Sequence, residues 1–360
     1  MNHSSTEFAA VSANASLRVG SLALGDAAGA ARWDAFVMAC PNATFFHRAG
    51  WQDVIAGVFG HHTYFLYAER GGSIEGVLPL AHVNSRLFGN SLVSLPFAVY
   101  GGVASLTAEA GDALETEAQA LAARLCVGHL ELRNVAPRHP DWPTQDLYCT
   151  FRKPILPEVE ANMLAIPRKQ RAMVRKGIQN GLTSQIELTT ASFFSLYADN
   201  VHRHGTPALP RRYFETLQRV FGPHCEVLTV RASDGRPLSS VLCFYFRDEV
   251  LPYYAGDDVL ARDFAANDFK YWELLRRACE RGCRLFDYGR SKRGTGPFAF
   301  KMNWGFEPQP LHYEYKLYRR DSVPQNNPMN PKYRAFIALW RRLPLSVANR
   351  LGPLIVRSLG

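Results

Sequence analysis

Hydrophobic and polar positions along the chain predict the same order of secondary-structure elements twice. Amphipathic helical segments that end in Val-Phe-Gly occupy residues 51–60 and 213–222. Their final glycines suit the left-handed residue that commonly ends a helix. Alternating patterns around a glycine-containing turn then predict β-hairpins over residues 65–80 and 227–244.

Each predicted hairpin is followed by a third strand, a helix and a short fourth strand. The third strands are predicted at 94–102 and 250–257, the helices end at Gly128 and Gly282, and the fourth strands are HLELRN and RLFDYGR. Matching landmarks lie about 160 residues apart throughout, so we interpret the two halves as a duplication.

The repeated unit predicts an α/β (α+β) fold, with two tandem GNAT-like acyltransferase units. Each unit would hold a mixed central sheet flanked by helices. Pro154 and Pro157 break the periodicity between the repeats. We therefore predict an N-terminal domain at 1–155, a C-terminal domain at 156–320 and a tail at 321–360.

Two nucleotide-using classes are excluded by their missing motifs. The chain has no G-x-G-x-x-G after a first strand and no Walker sequence, which argues against a doubly wound nucleotide fold. Asp287-Tyr288-Gly289 mimics the D-F-G of kinases, but the other kinase motifs are missing.

The composition of the chain indicates the charge of its partners and the compartment in which it works. Lysine and arginine total 41 against 32 acidic residues, a formal net charge of +9 at pH 7, which favours anionic partners such as phosphorylated substrates, RNA or acidic lipids. The seven cysteines lack the spacing of a disulfide framework or zinc site, so we expect a reducing, cytoplasmic location and no metal. We expect neither a secretory signal nor a transmembrane helix.

The densest group of reactive side chains lies between residues 285 and 306. A predicted strand brings Asp287 and Arg290 to a basic loop with Lys292, where glycines let backbone amides approach a phosphate. Pro297 and an aromatic run follow, so we expect no helix N-terminus to receive the phosphates of acetyl-CoA. The alternative interpretation is a solvated basic turn.

The stretches FDYGRS, GPFAFK, NWGFEP and LHYEYKL resemble the C-terminal signature of the FemAB family. The similarity extends from about Phe45 to Tyr318, and in detail the chain resembles the FemAB-related proteins of PEP-CTERM/exosortase and exopolysaccharide systems. FemAB proteins transfer amino acids from aminoacyl-tRNA to an amine of a peptidoglycan precursor. The resemblance implies a related transfer reaction here.

The resemblance also implies roles for individual residues. Lys301 corresponds to a lysine that stabilises charge on the acyl carbonyl, with Phe300 and Trp304 beside it as substrate-binding candidates. A cation fixed near a tetrahedral oxyanion lowers the barrier by about 3 kcal/mol. A surface lysine in a salt bridge is the alternative. The general base stays open between Asp287, Glu314 and the substrate itself.

A second candidate cluster resembles the family segment that holds the phosphates of the acceptor. Its candidate contacts are Arg211, Arg212 and Tyr213, and Tyr254 on the third strand of the second repeat is a further substrate-binding candidate. Two arginines can bind a diphosphate bidentately. Adjacent residues of a helix point about 100° apart, however, which would leave one arginine facing the site.

Two more basic segments suggest macromolecular partners. Residues 168–176, after Pro167, predict a basic helix that could contact tRNA, although the chain lacks the coiled-coil arm of most tRNA-dependent family members. The tail after Asp321 is basic, and its predicted amphipathic helix, which includes Lys332 and Arg334, suits an anionic membrane surface. Docking on the protein's own surface is the alternative.

The leading hypothesis from the sequence is an N-acyltransferase or aminoacyltransferase that acts on an amine of an envelope or exopolysaccharide precursor. It would hold no bound cofactor and would take aminoacyl-tRNA or acyl-CoA as co-substrate. Acyl-CoA or acyl carrier protein as the donor is the first alternative, and a non-catalytic, membrane-associated scaffold of a polysaccharide assembly system is the second.

Overall fold

The computed structural model describes residues 15–85, 89–324 and 331–358, apart from the side chains of residues 331–335. The chain divides into two compact units. Unit 1 comprises residues 15–146 and 311–324, and unit 2 comprises residues 147–310 and 331–358.

Strands and helices are interspersed along the chain. In chain order the first half contains β1 (Arg18–Leu22), α1 (Ala27–Ala39), α2 (Gly50–Val54), β2 (His62–Arg70), β3 (Ser73–Ser85), β4 (Gly89–Val93), β5 (Ala104–Ser105), α3 (Ala108–Arg124), β6 (His129–Asn134) and β7 (Tyr148–Pro154). The middle contains α4 (Val159–Ala165), α5 (Arg168–Gln179), β8 (Thr183–Glu187), α6 (Ala191–Arg203), α7 (Arg211–Phe221), β9 (Cys225–Arg231), β10 (Pro237–Phe246), β11 (Glu249–Asp257) and α8 (Ala266–Glu280). The last part contains β12 (Leu285–Asp287), β13 (Ser291–Lys292), α9 (Gly296–Asn303), β14 (Pro308–Pro310), β15 (His312–Leu317), α10 (Pro331–Trp340) and α11 (Leu345–Val356).

Each unit is built on one mixed sheet, and the two sheets share a topology. Within the described residues, the sheet of unit 1 has the order β1-β2-β3-β4-β6-β15, with β5 beside β3. The sheet of unit 2 has the order β8-β9-β10-β11-β12-β7, continued by β13 and with β14 also beside β7. The β4–β6 and β11–β12 pairs are parallel and the other pairs are antiparallel. The predicted fold class, two mixed sheets flanked by helices, is confirmed.

The strand that completes each sheet follows the repeat that forms the other sheet. Strand β7 follows the elements of unit 1 in the chain but pairs with β12 of unit 2, and β15 follows those of unit 2 but pairs with β6 of unit 1. The division therefore differs from the predicted ranges 1–155 and 156–320, since sequence order alone cannot assign an exchanged strand.

The predicted repeats are recovered at most positions. Helical structure ends at Gly60 and at Gly222, both with positive φ, and the hairpins β2–β3 and β9–β10 turn at Gly71 and Gly235, again with positive φ. Helix α7 illustrates the pattern: Tyr213 and three further apolar side chains are buried on one face.

Two predicted elements were wrong. Residues 94–102 were predicted as a strand, but the strand at this place is β4, and the chain beyond it is irregular. Leu95 and Phe97 have φ of 57° and 65°, which is incompatible with an extended strand. The tail forms two helices, α10 and α11, rather than one.

Some predictions fall outside the described residues. They concern residues 1–14 of the N-terminal domain and the side chains of Lys332 and Arg334 in the tail. In the part of the chain that the structure describes, no helix is both long and apolar enough to cross a membrane.

Helix α6 packs directly on β11 in unit 2, and a glycine makes the close approach possible. A Cβ atom placed on Gly256 would lie 2.3 Å from the backbone nitrogen of Tyr197. Backbone atoms cannot move aside as a side chain can, so residue 256 has no room for a methyl group.

We expect Gly256→Ala to lower the free energy of unfolding by about 2 kcal/mol or more because of this backbone clash. Urea denaturation followed by circular dichroism measures the change. The matched control is Gly296→Ala, since a Cβ atom there meets no heavy atom within 4 Å. Equal denaturation midpoints for the two variants would contradict the packing of α6 on β11.

Candidate functional site

Lys301 lies at the centre of the candidate site, on the short helix α9. Its Nζ donates hydrogen bonds to the carbonyl oxygens of Gly289, at 2.9 Å, and Arg290, at 3.2 Å. Both carbonyls belong to the segment that follows β12. The residue is only 8% exposed, so the predicted alternative of a surface lysine in a salt bridge does not fit its surroundings.

Strands β7 and β12 provide an aromatic floor beneath the amine. Lys301 Nζ lies 5.4 Å from the ring centroid of Phe151 and 5.2 Å from that of Tyr288. Tyr288 N donates to Phe151 O at 2.7 Å, so the two rings are neighbours on one face of the sheet. An ammonium group over two aromatic faces is stabilised by their negative electrostatic potential.

Burial and charge act on Lys301 in opposite directions. The pKa of Lys301 is lowered from 10.5 to about 8, mainly by desolvation; the Asp287 carboxylate acts in the opposite direction, and nearby Arg290 adds to the lowering. At neutral pH the ammonium form still predominates. An ammonium group has three donors, and within the described residues two acceptors occupy it, which leaves one donor for a substrate oxygen.

Asp287 fixes the turn whose carbonyls hold Lys301. Its Oδ1 accepts from Gly289 N at 2.8 Å and from Thr150 Oγ1 at 3.3 Å, and Oδ2 lies 3.3 Å from Arg152 Nε. The residue is 1% exposed. Gly289 has φ of 69°, a conformation that favours glycine, and here the chain leaves β12. These contacts suit a positioning residue, and its role as a base stays a prediction.

Phe300 lies on the same helix as Lys301, and Trp304 follows directly after that helix. The two rings form an aromatic wall with Tyr271. The ring centroid of Phe300 lies 5.7 Å from that of Tyr271 and 6.1 Å from that of Trp304. Trp304 Nε1 donates to Asp268 Oδ1 at 2.9 Å in the interior. Trp304 therefore orients α9, whereas the half-buried Phe300 can also meet a substrate.

The basic loop lies directly beside this wall. Arg290 lies over the ring of Tyr148 at 4.8 Å, and Lys292 is in β13, paired with β7. Contrary to the sequence-based expectation, a helix N-terminus does follow the loop: α9 begins at Gly296, and Pro297 is compatible with a first helical turn. Amides at such an N-terminus favour anions.

The remaining predicted residues group around α7 and β11. Tyr213 is fully buried, and its hydroxyl lies 3.0 Å from that of half-buried Tyr254. Burial raises the pKa of both hydroxyls well above the usual value, so both stay protonated. Arg211 and Arg212, at the start of α7, are exposed, and Arg211 pairs with Glu215 at 3.4 Å. The arginines are thus accessible to an anion, while Tyr213, the next residue of α7, is buried in the interior.

The two parallel strands of unit 2 pair over a short stretch. Among the described residues, β11 pairs with β12 only at Glu249 and Val250, although β11 continues to Asp257. A register shift against β10 leaves Tyr253 as an extra, bulged residue. Pairing with β11 thus ends before the segment of Gly289 begins.

Glu314, the other predicted base, lies in unit 1. Its carboxylate is 1% exposed and accepts from Asn134 Nδ2, Arg138 N and His139 N at 2.7, 2.8 and 3.1 Å. These bonds hold the loop after β6, and Glu314 groups with unit 1 rather than with Lys301 in unit 2.

Sequence reasoning missed the contribution of β7. This strand provides Phe151, whose ring lies beneath Lys301, and Thr150 and Arg152, which contact Asp287. From the sequence, β7 was predicted to belong to the first domain. The sequence motif around Asp287 did contain Tyr288, which had no predicted role. All seven cysteines carry free thiols, and the described residues contain no cluster of three metal-ligating side chains.

A family model described as an acetyltransferase (GNAT) domain matches residues 168–302. This segment is similar to the domain that the family model describes. It contains the candidate residues from Arg211 to Lys301, and GNAT acyltransferases take acyl-CoA as co-substrate without a metal cofactor. The prediction that the protein is an acyltransferase is confirmed by this match.

Solved structures with the same fold extend the similarity to both units. The crystal structure of FemX matches with a TM-score of 0.66 at 14% identity, over 83% of this chain and 98% of that one. A tandem GNAT protein from the clavulanic acid biosynthesis pathway matches with a TM-score of 0.53 at 14% identity, over 86% and 100%. The C-terminal domain of a proposed lysylphosphatidylglycerol synthetase from Agrobacterium fabrum matches at 0.55 and 13%, over 86% and 93%. No curated protein sequence matches the chain significantly.

We expect Asp287→Asn to lower the pKa of Lys301 below its value of about 8, because the carboxylate that favours the ammonium form is removed. NMR titration of ¹⁵N-labelled lysine side chains measures this pKa. Glu249→Gln is the control, since Glu249 binds the same Arg152 but does not influence Lys301. A pKa that stays the same in Asp287→Asn would contradict the electrostatic coupling.

Proposed function

We propose that the protein transfers an acyl or aminoacyl group to an amine of a cell-envelope or exopolysaccharide precursor, at the cytoplasmic face of the membrane. The observation that carries the proposal is the buried Lys301 ammonium, which has one donor left for a substrate and lies in the matched GNAT domain. The FemAB resemblance of the sequence supports an amine acceptor and an association with PEP-CTERM/exosortase systems. The fold shared with FemX supports a transferase of this fold.

In this mechanism the amine of the acceptor attacks the acyl carbonyl carbon of the donor. A carbon–nitrogen bond forms, the bond to the oxygen or sulfur of the donor breaks, and the proton that the amine loses is balanced by the proton that the leaving oxygen or sulfur takes up. Lys301 donates its third hydrogen bond to the carbonyl oxygen as negative charge develops there. Asp287 acts through the Gly289 turn by holding the carbonyls that orient Lys301.

The donor is proposed to place its phosphates near the start of α9. Arg290 and Lys292 provide positive charge there, and the N-terminus of a helix favours anions. Acyl-CoA and aminoacyl-tRNA both carry phosphate groups, so both suit this arrangement. Basic helix α5, whose Arg168, Lys169 and Lys176 are exposed, supports tRNA, whereas the acetyltransferase match supports acyl-CoA.

The acceptor is proposed to bind its phosphates through Arg211 and Arg212 at the start of α7. Both guanidinium groups are exposed above the Tyr213–Tyr254 pair. Two planar donors can bind a diphosphate in a bidentate manner. The fold shared with a proposed lysylphosphatidylglycerol synthetase supports an anionic, phosphate-bearing acceptor.

Native mass spectrometry of the purified protein with acyl-CoA, aminoacyl-tRNA and a nucleotide-linked sugar-peptide tests these assignments. We expect one donor to bind specifically and its binding to weaken in Arg290→Ala. Binding of none of them would favour a scaffold protein without catalysis.

With that donor, we expect Lys301→Met to lower kcat by about 10²-fold or more, because one oxyanion donor is lost. We expect kcat of the wild type to fall as pH rises through about 8, since deprotonation removes the charge, and this fall to disappear in Lys301→Arg. Steady-state kinetics between pH 6 and 10 measure both, with exposed Met302→Ala on the same helix as the control. Full activity of Lys301→Met would contradict the mechanism.

The tail is proposed to rest on an anionic membrane. Ala348 and Gly352 of α11 are buried against unit 2, which leaves Val347, Leu351 and Leu354 exposed along one stripe. Arg350 and Arg357 are exposed and lie about one-fifth of a turn to one side of that stripe. An exposed apolar stripe flanked by arginines suits the interface of an anionic bilayer.

We expect the protein to co-sediment with vesicles that contain phosphatidylglycerol, and the V347S/L351S/L354S variant to lose most of this binding because the apolar stripe is removed. The control is Leu188→Ser, which alters an isolated and 96% exposed leucine of unit 2. Equal co-sedimentation of the triple variant and the control would contradict a membrane role for α11.

A further inference from the structure

An apolar cavity lies on the face of the β7–β12 pair that carries Lys301. It has a volume of about 260 Å³ and is open on one side. Its wall is almost entirely apolar and comes from α4, α8, α9 and the adjoining strands, through Leu156, Ile166, Leu275, Phe286, Trp304 and Phe306. The proposed transfer mechanism does not use this cavity.

The cavity and Lys301 lie over successive residue pairs of the sheet. Phe286 pairs with Lys153, and the next residues on the same face are Tyr288 and Phe151, beneath Lys301. The ring of Phe306 stands between them, with its centroid 5.8 Å from that of Phe286 and 5.0 Å from that of Tyr288. The two sites are therefore neighbours separated by one aromatic side chain.

Lys153 brings a positive charge to the edge of this apolar cavity. Its Nζ lies 5.7 Å from the Phe306 ring centroid and 3.5 Å from the carbonyl oxygen of Ala165. Burial lowers the pKa of Lys153 from its usual value. Among the described residues no carboxylate lies within ion-pair distance, whereas the adjacent Arg152 of β7 pairs with Glu249.

A half-buried ammonium without a counter-charge is costly unless a ligand provides the charge. One lysine offers a point charge that matches one carboxylate, whereas phosphate sites usually bring together several donors. The apolar wall requires a hydrocarbon body. If a methylene group takes roughly the 30 Å³ that liquid water gives one molecule, the cavity holds a chain of about eight carbons.

We propose that this cavity binds a medium-chain carboxylate, with the hydrocarbon chain inside and the carboxylate on Lys153. The Leu156 loop on the rim is held in place by Asn162, whose Nδ2 donates to the carbonyls of Leu156 and Glu158 at 2.7 and 2.9 Å. The wall is thus preformed. The proposal does not rest on the role of Lys301, because Lys301 does not line the cavity.

Isothermal titration calorimetry with octanoate, octanol and octylammonium tests this proposal on the full chain. We expect octanoate to bind saturably, Lys153→Met to weaken octanoate binding about tenfold, and the affinity for octanol to stay the same in that variant. Exposed Lys169→Met is the matched control for charge. Ala165→Phe, which places a ring at the exposed rim of the cavity, should reduce the binding of both octanoate and octanol.

Methyl NMR locates the ligand, since the Ile166 side chain lines the cavity. We expect its methyl signals to shift with octanoate concentration and to stop shifting in Ala165→Phe. The proposal is overturned if Ile166 does not respond, if octylammonium binds as tightly as octanoate, or if Lys153→Met binds octanoate like the control. Circular dichroism of each variant ensures that a lost affinity is not lost folding.

Discussion

The antiparallel pairing of β7 with β12 is the contact on which the chemistry of unit 2 depends. Three residue pairs, Leu285 with Pro154, Phe286 with Lys153 and Asp287 with Arg152, join segments that lie more than a hundred residues apart. One face of this pair carries the rings beneath Lys301 and the wall of the apolar cavity. The other face carries the ion pair of Asp287 with Arg152. Loss of the pairing would remove both sites together, because neither strand holds a complete site by itself.

The same pairing sets the electrostatic state of Lys301. Desolvation in the interior destabilises the ammonium form, and the Asp287 carboxylate partly offsets this effect. The resulting pKa of about 8 keeps the group charged at neutral pH but close to titration. Asp287 is shielded from solvent by its own partners, so its charge acts on Lys301 through the low-dielectric interior rather than through a direct ion pair.

The duplicated architecture explains why sequence order and spatial order differ. In each sheet an antiparallel strand pairs with β6 or β12. Strand β7, which follows the first repeat, pairs with β12 of unit 2, and β15, which follows the second repeat, pairs with β6 of unit 1. A hydrophobic pattern states only that a segment is a strand with a buried face. It carries no information about which sheet receives that face, because both sheets offer the same parallel edge.

The sequence by itself determined the repeated helices and hairpins, the glycines at their ends and the grouping of Asp287, Arg290, Phe300, Lys301 and Trp304. These features are local: helical periodicity, turn chemistry and short spacing act between neighbours in the chain. Local signals failed at 94–102, where apolar residues typical of a strand adopt left-handed backbone conformations. Only the tertiary structure decided which strand lies beneath Lys301, that Glu314 belongs to unit 1, and that Lys153 stands at an apolar cavity. Those results depend on burial and on pairing between segments that lie far apart in the chain. Only the folded sheet brings such segments together, so no local pattern can predict which of them meet.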